Sequence, residues 1–313
     1  MENVQSSTPK STTARRTILW ITVAIVLLAA IVLAIWMLRP AEPTASAPRP
    51  TASVTPTPTA TPTPTPTTTP SPTPEPLAAN TTAYDPSTLP QVDVFSVIAG
   101  LPVDDDPFGA LTGEDARPVA AGAPVFADPT GEPVALLPRD LQFDGTTVPI
   151  IQREQNWVRV LLVGRQAYPS QGNPAQVTGW LRAQDVEITP LDAVVEVSIS
   201  ARTIDIVRGG VAERIATDFG WGVAETPTPI GRTYIMTTRV EPSFDYTRGY
   251  PLVYLAVQSP TLDGFGGANV AVTAFHYHDA RSGSISNGCL RVDPATIEKL
   301  ARLPLGTPVI VRA

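Results

Sequence analysis

The chain opens with a long apolar stretch, and its second half alternates apolar and polar residues. Residues 17–38 carry no charge, and a helix of that length crosses a hydrocarbon core about 30 Å thick. Three basic residues precede the stretch, whereas only Arg39 follows it closely. Because basic residues stay on the cytoplasmic side, the pattern predicts a single-pass anchor with residues 1–16 as a cytoplasmic tail. The remainder is then extracytoplasmic, at the cell membrane.

Proline and threonine dominate the segment that follows. From Pro40 to Pro76 the chain repeats Thr-Pro, and proline cannot donate to a β-ladder. Residues 39–90 are therefore predicted to be a linker, extended like polyproline II and able to reach on the order of 100 Å. It would carry the rest of the chain away from the membrane; a featureless, glycosylated stalk is the alternative. Ala-Ser-Ala at 45–47 suits signal cleavage, but its distance from the apolar stretch favours an uncleaved anchor.

Between residues 91 and 190, short apolar runs alternate with turn residues. Four such runs predict successive strands, at 120–138, 147–152, 156–163 and 177–188. Asp144-Gly145 favours a tight hairpin between the first two. The pattern resembles a small bacterial SH3-like barrel of wall-associated proteins. Trp157 and Trp180 fit core positions better than ligand-stacking positions.

From residue 191 to 313 the pattern is again mainly β. Alternation predicts strands over 194–200, 203–210, 231–240, 251–258, 269–278 and 306–313. One helix is predicted after Asp293, because an Asp N-cap followed by proline at the first helical position starts a helix. The fold class is therefore mainly β, with one helix in the C-terminal region.

Charge and cysteine content narrow the function. The net charge of −7 gives no basic face for nucleic acid, so we expect no nucleic-acid partner. The single cysteine excludes an internal disulfide. The acidic residues 104–106 suit a solvated loop; calcium binding is the alternative, although the spacing is not that of an EF-hand.

The rare reactive residues fall close together. Both histidines and the only cysteine lie between His276 and Cys289. His276 and His278 are two apart on a predicted strand, so their side chains share one face. A cysteine acyltransferase needs such an imidazole beside its thiol. The alternatives are a metal site, which lacks an evident third ligand, plain packing of the histidines, or a buried structural cysteine.

The residues around Cys289 suit the same chemistry. Gly288 permits a positive φ and leaves room for a substrate carbonyl. The N–H groups of Gly288 and Cys289 could bind the oxyanion of a tetrahedral intermediate. Arg291 could lower the pKa of the thiol or bind a substrate carboxylate.

Residues 192–313 resemble the L,D-transpeptidase catalytic domain. The run at 226–236 is similar to the Thr-Pro-x-Gly-x-aromatic turn of the family, with Gly231 and Tyr234 in place. Ser-Asn-Gly-Cys at 286–289 is similar to the Ser-His-Gly-Cys signature. The opening hairpin, the strand that ends in the histidines and the closing strand occur in the same order.

The resemblance implies site roles. Cys289 would be the nucleophile and His276 the base, held by a nearby backbone carbonyl. Ser286, Gly288 and Arg291 would shape the site.

The sequence departs from the family at three positions of this region. Asn287 stands where the signature has His, and it can donate a hydrogen bond but cannot exchange a proton. A short loop before Ser286 leaves the choice between His276 and His278 open, although the resemblance favours His276. Tyr277 follows the candidate base, where the family usually has a small residue.

The resemblance also implies a function. The expected reaction is a two-step acyl transfer that cross-links peptidoglycan stem peptides, which serve as donor and acceptor. Carbapenems would acylate the cysteine, and residues 237–268, with Trp221 and Tyr254, would form a lid and walls. We expect no metal, no cofactor and a monomer. The alternatives are an L,D-carboxypeptidase, a sortase, which spaces its residues differently, and a non-catalytic wall-binding scaffold in which Asn287 marks a decayed site.

Overall fold

The predicted strands form two β-sheets in the computed structural model, which describes residues 76–313. The predicted tail, anchor and most of the linker lie outside the described residues. Among residues 76–313, no helix has the length and apolar character needed to cross a membrane.

The first sheet has seven strands in the order β3-β2-β6-β5-β4-β1-β7. The strands are β1 Glu114–Pro118, β2 Gly122–Phe126, β3 Pro133–Pro138, β4 Val148–Arg153, β5 Trp157–Leu161, β6 Thr178–Arg182 and β7 Val186–Pro190. All four predicted strand regions are therefore confirmed. The SH3-like identity of this region stays a prediction.

The predicted Asp144-Gly145 hairpin is wrong. Both residues have positive φ, 55° and 82°, as such a turn requires. However, β3 pairs with β2, and β4 pairs with β5 and β1, so the turn does not join paired strands. The turn contacts the second sheet instead: the Gly145 N–H donates to the Met236 carbonyl at 3.2 Å.

The second sheet has ten strands in the order β10-β9-β8-β17-β12-β13-β14-β16-β11-β15. The strands are β8 Ala193–Ser198, β9 Thr203–Arg208, β10 Val211–Ala216, β11 Gly220–Gly222, β12 Gly231–Arg239, β13 Leu252–Gln258, β14 Val272–Tyr277, β15 Gly283–Ser286, β16 Leu290–Val292 and β17 Pro308–Arg312. Within the described residues one α-helix occurs, α1 Pro294–Leu300, and the Asp293 side chain caps it by accepting from two backbone N–H groups. The mainly β class with a single C-terminal helix is confirmed.

The first of two hydrophobic cores is built by residues of both sheets. Tyr234, Met236 and Ala256 belong to the second sheet, yet they pack in the core that the first sheet builds. The Tyr234 hydroxyl, which is fully buried, donates to the Gly145 carbonyl at 3.2 Å. The first core is therefore shared between the sheets, whereas the other face of the second sheet packs with the helix in a core of its own.

A buried ion pair also joins the sheets, and it corrects the expectation of a solvated acidic loop. The Arg232 guanidinium donates two hydrogen bonds to the Asp104 carboxylate, both at 2.8 Å. The Asp104 side chain is 1% exposed and the Arg232 side chain 4% exposed. Asp105 does face solvent, where Arg159 pairs with it. Calcium binding has no support, because the Asp104 oxygens already have partners.

The end of the predicted linker is part of the fold. The Trp157 indole N–H donates to the Ala78 carbonyl at 2.8 Å, and Arg182 donates to the Thr82 carbonyl at 2.7 Å. Trp157 is completely buried, which confirms its core position, whereas Trp180 is half-buried. Residues 77–90, which include a short 3₁₀ helix at Pro86–Thr88, therefore contact the first sheet, and the predicted boundary at residue 90 lies within the folded region.

Candidate active site

Parallel pairing of β14 with β16 brings the histidines and the cysteine together. Phe275 pairs with Leu290, and His276 pairs with Arg291. Extending this register by one residue sets Cys289 beside Ala274. Since alternate residues of a strand share a face, Cys289 and Arg291 project from the same face as His276.

These side chains line one pocket of about 160 Å³. The pocket is lined by Tyr246, Leu262, Phe265, Ala271, Val272, His276, His278, Ser286, Asn287, Cys289 and Arg291. Drug-sized ligands typically occupy about 300–1,000 Å³, so this space holds only the reacting part of a larger substrate. Every predicted site residue except Gly288, which lies in the loop behind the cysteine, reaches the pocket.

His276 is held in a defined tautomer. Its ring is buried, and its Nδ1 lies 2.8 Å from the Tyr277 carbonyl oxygen. A carbonyl only accepts, so Nδ1 carries the proton and Nε2 is left as the proton acceptor. The predicted backbone carbonyl partner is thereby confirmed. Burial lowers the pKa of His276 to about 4, more than the Tyr277 carbonyl raises it, so the ring is neutral near neutral pH.

His278 has a different environment. Its Nδ1 accepts the Ala280 N–H at 2.9 Å, and its side chain is only half-buried. The Tyr246 ring packs against both imidazoles, at centroid distances of 5.3 Å from His276 and 5.7 Å from His278. The neutral ring of His278 therefore presents an N–H through Nε2, which makes it a donor, whereas His276 is the acceptor.

The Cys289 thiol holds its proton in this pocket. Burial raises its pKa above the ordinary value, and this outweighs the lowering by a backbone hydrogen bond from Ala274 and by the Arg291 charge. The direction expected of Arg291 is therefore right, but its effect is the smaller one. A neutral thiol and a neutral imidazole form the resting state.

The loop before the nucleophile is built around Ser286. The Ser286 hydroxyl donates to the Cys289 carbonyl at 2.6 Å and accepts the Gly288 N–H at 3.2 Å. Gly288 has a φ of 109°, which confirms the need for glycine. The Gly288 N–H already has an acceptor here, so its expected role in binding an oxyanion stays a prediction. The Cys289 N–H has no backbone acceptor within residues 76–313 and remains available.

Thr228 is a functional residue that the sequence reasoning missed. It is buried, its hydroxyl donates to the Gly288 carbonyl at 2.9 Å, and it accepts the Gly222 N–H at 3.0 Å. The sequence shows the Thr-Pro turn around Thr228 as a motif. It does not show that Gly288, sixty residues away, is the partner of this threonine. This hydrogen bond fixes the loop that carries the cysteine.

The pocket walls come partly from the predicted segment 237–268. Tyr246, Leu262 and Phe265 line the pocket, as expected. Trp221 does not; it packs against Phe219 and beneath Arg202. Tyr254 lines a neighbouring apolar cavity instead.

A salt bridge holds the segment that carries Tyr246. Arg248 donates to the Asp279 carboxylate at 3.0 and 2.5 Å, and the Tyr277 hydroxyl donates to the same carboxylate. These bonds lower the pKa of Asp279 to about 2. The salt bridge links the segment that carries Tyr246 to the end of the histidine strand, but both partners are exposed, so it contributes little to stability.

A larger cleft of about 710 Å³ lies on the other side of residues 279–285. Its charged side chains already have partners: Arg214 binds Asp205, and Asp218 lies 3.6 Å from Arg202. The described residues also contain no group of three potential metal-binding side chains. The thiol and the imidazoles that can react therefore line the cysteine pocket and not this larger cleft.

Comparisons with known proteins cover the part of the chain that contains this site. Residues 192–311 match the family model of the L,D-transpeptidase catalytic domain. A search of curated proteins gave no match.

Similar solved structures include three L,D-transpeptidases. One from Mycobacterium tuberculosis H37Rv is 19% identical over 50% of this chain and 91% of its own, with a TM-score of 0.31. One from Stackebrandtia nassauensis is 19% identical over 39% and 56%, with a TM-score of 0.29. The catalytic domain from E. faecium is 23% identical over 38% and 96%, with a TM-score of 0.26.

Proposed function

We propose, from the premise that residues 192–311 are an L,D-transpeptidase catalytic domain, that this protein cross-links peptidoglycan stem peptides through an acyl-enzyme on Cys289. The observation that carries the mechanism is the shared face of β14 and β16, which sets the only thiol in one pocket with a neutral imidazole of fixed tautomer.

The first step forms the acyl-enzyme. Cys289 Sγ attacks the carbonyl carbon at the L-centre of the third residue of a donor tetrapeptide. The thiol proton passes to Nε2 of His276 as the sulfur–carbon bond forms, because neither separated ion is stable in this pocket. The developing oxyanion accepts the Cys289 N–H. The imidazolium then protonates the leaving amine, and D-alanine departs.

The second step forms the cross-link. The side-chain amine of a neighbouring stem attacks the thioester, and His276 takes the proton that this amine loses. The tetrahedral intermediate expels Cys289 as a thiolate, which takes the proton back. Asn287 has no proton-transfer role in this scheme, so its replacement of the family histidine leaves both steps intact.

Product analysis tests this proposal. We expect the protein, given a tetrapeptide stem as donor and acceptor, to release D-alanine and form a peptide dimer, both measurable by mass spectrometry. A carbapenem is expected to add its mass to Cys289. D-alanine release without a dimer at saturating acceptor would support an L,D-carboxypeptidase. Absence of both the adduct and D-alanine release would support the scaffold alternative.

The pH profile of acylation tests the role of His276. Its pKa, lowered to about 4, leaves the imidazole able to accept a proton at every pH above that value. Because the thiol keeps its proton through neutrality, we expect the rate constant of carbapenem acylation to be flat from about pH 5 to 8 and to fall below about pH 4. Stopped-flow measurement of carbapenem absorbance gives this rate.

Two variants show which histidine acts as the base in that pH profile. His276→Gln is expected to replace the plateau with a rise of about tenfold per pH unit, because only preformed thiolate would then react. His278→Gln is expected to keep the plateau. A plateau that persists in the first variant and is lost in the second would assign the base to His278.

We also propose that the catalytic region works outside the cytoplasmic membrane. The support is the uncharged stretch 17–38, the basic residues before it and the Pro/Thr-rich segment after it. We expect a protease added to intact spheroplasts to digest the C-terminal region and to leave the N-terminal residues protected.

A further inference from the structure

Arg165 is a buried cation with no carboxylate partner among residues 76–313. It follows β5 in the first sheet and is 1% exposed. Its backbone is fixed on both sides, because its N–H donates to the Ser96 carbonyl at 3.0 Å and its carbonyl accepts the Ile98 N–H at 2.9 Å. Charged residues are almost never fully buried without a counter-charge, so this position calls for an explanation.

The guanidinium binds two consecutive carbonyls of the second sheet's long loop. Nη1 donates to the Asp263 carbonyl and Nη2 to the Leu262 carbonyl, each at 3.0 Å. Nε is buried without a partner within the described residues. Burial lowers the pKa of Arg165, which measures the unfavourable desolvation that these two bonds must offset.

A second contact from the same region holds the same loop. Ser170 donates its N–H and its hydroxyl to the Asp263 carboxylate, at 3.0 and 2.5 Å. These bonds lower the pKa of Asp263, which keeps the carboxylate ionised. Arg165 and Ser170 thus bind the backbone and the side chain of the same loop residue.

This loop forms one wall of the cysteine pocket. Leu262 and Phe265 both line the pocket, and Phe265 is 57% exposed, so packing alone does not fix it. The loop's other hydrogen bonds stay within the second half of the chain: Ser259 accepts the Leu262 N–H at 3.2 Å, Phe265 bonds to Ala268 and Val270, and the Thr261 hydroxyl donates to the Glu225 carbonyl at 2.9 Å. Among the described residues, the hydrogen bonds from Arg165 and Ser170 are the ones that join residues 262–265 to the first sheet's half of the protein.

We propose that Arg165 is a positioning residue for the transpeptidation site, acting from the first sheet through Leu262 and Phe265 to set the wall that contacts the donor stem peptide. The inference rests on the proposed function for its kinetic consequence. The first sheet is then part of the substrate-binding machinery, although none of its residues lines the described cysteine pocket.

Two measurements on Arg165→Met test this proposal. The variant removes both donors while keeping an apolar stem of similar length. We expect hydrogen exchange of the amides in residues 259–271 to become at least about tenfold faster, with exchange in β14 unchanged. We also expect KM for the donor stem to rise about tenfold with a smaller change in kcat, because wall contacts bind the substrate and do not take part in bond making.

Controls separate this effect from general loosening. Arg153→Met, which removes a half-exposed arginine of the first sheet paired with Glu114, is expected to change neither exchange nor KM. Arg165→Lys can still reach one carbonyl and is expected to fall between wild type and Arg165→Met. Alkylation of Cys289 by iodoacetamide, which needs no wall, should proceed at the wild-type rate in all variants.

Several results would overturn the proposal. Unchanged exchange in residues 259–271 of Arg165→Met would mean that Arg165 does not hold the loop. Faster exchange with an unchanged KM would mean that the loop does not position substrate. Should Arg165→Met fail to fold, Ser170→Ala replaces it, with an expected three- to tenfold rise in KM on the same readouts. Lack of cross-linking by the wild type would instead refute the proposed function and leave the exchange result intact.

Discussion

Replacing Cys289 with alanine is expected to lower the rate of D-alanine release from tetrapeptide stems by about 10⁴- to 10⁶-fold, and cross-linked product should disappear with it. Removal of the nucleophile of a covalent mechanism removes both chemical steps at once, so the neighbouring groups cannot compensate. The chain has no second thiol that could take over. The measurement is a single-turnover assay, with a carbapenem adduct read by intact mass as an independent report.

Cys289→Ser is the matched control for this loss. Serine keeps nearly the same shape and hydrogen-bonding capacity, so the pocket should still bind the donor stem. Its hydroxyl is far less acidic than a thiol, and an imidazole whose pKa is about 4 is too weak a base to activate it. We expect binding close to wild type with catalysis as low as in the alanine variant. D-alanine release by Cys289→Ala at the wild-type rate would exclude the acyl-enzyme mechanism.

The second large effect is on stability, at the ion pair between Asp104 and Arg232. Arg232→Met leaves the Asp104 carboxylate buried without its counter-charge, and we expect it to lower the free energy of unfolding by about 3–5 kcal/mol. For a folded unit of this size the melting temperature should fall on the order of 10 °C. Chemical denaturation followed by tryptophan fluorescence measures the change.

A double-mutant cycle isolates the contribution of this pair. Adding Asp104→Asn to Arg232→Met removes the unpaired charge, so the double variant should recover part of the lost stability. Arg117→Met is the exposed comparison, because Arg117 pairs with a solvent-facing Asp140 and its loss is expected to be under about 1 kcal/mol. Equal losses from Arg232→Met and Arg117→Met would show that burial does not make the pair important.

Local patterns in the sequence were sufficient for much of this fold. Alternation of apolar residues predicts most strands of both sheets, because alternate residues of a strand share one face, but it does not predict β1, β15 or β16. Asp293 and Pro294 located the helix by local hydrogen bonding. His276, Cys289 and the glycine between them were recognisable because rare reactive residues stand close together in the chain.

What remained hidden depends on partners distant in the chain. Asp104 looked like a solvated acid because Arg232 lies 128 residues away. Arg165 carried no signal at all, since the carbonyls it binds are 97 and 98 residues distant and any residue could supply them. No pattern in the sequence reveals that the Gly288 N–H donates to the Ser286 hydroxyl, so the sequence predicts a catalytic role for this N–H. Hydrogen bonds to backbone atoms leave little trace in a single sequence.

The shared core around Tyr234, Met236 and Ala256 has a consequence for recombination between related proteins. These three side chains sit on strands that also build the catalytic sheet, but the surface they fill belongs to the other half of the protein. A recombination event that exchanged either half would present them with an unmatched surface. Chimeras of this kind are therefore expected to fold less stably than either parent.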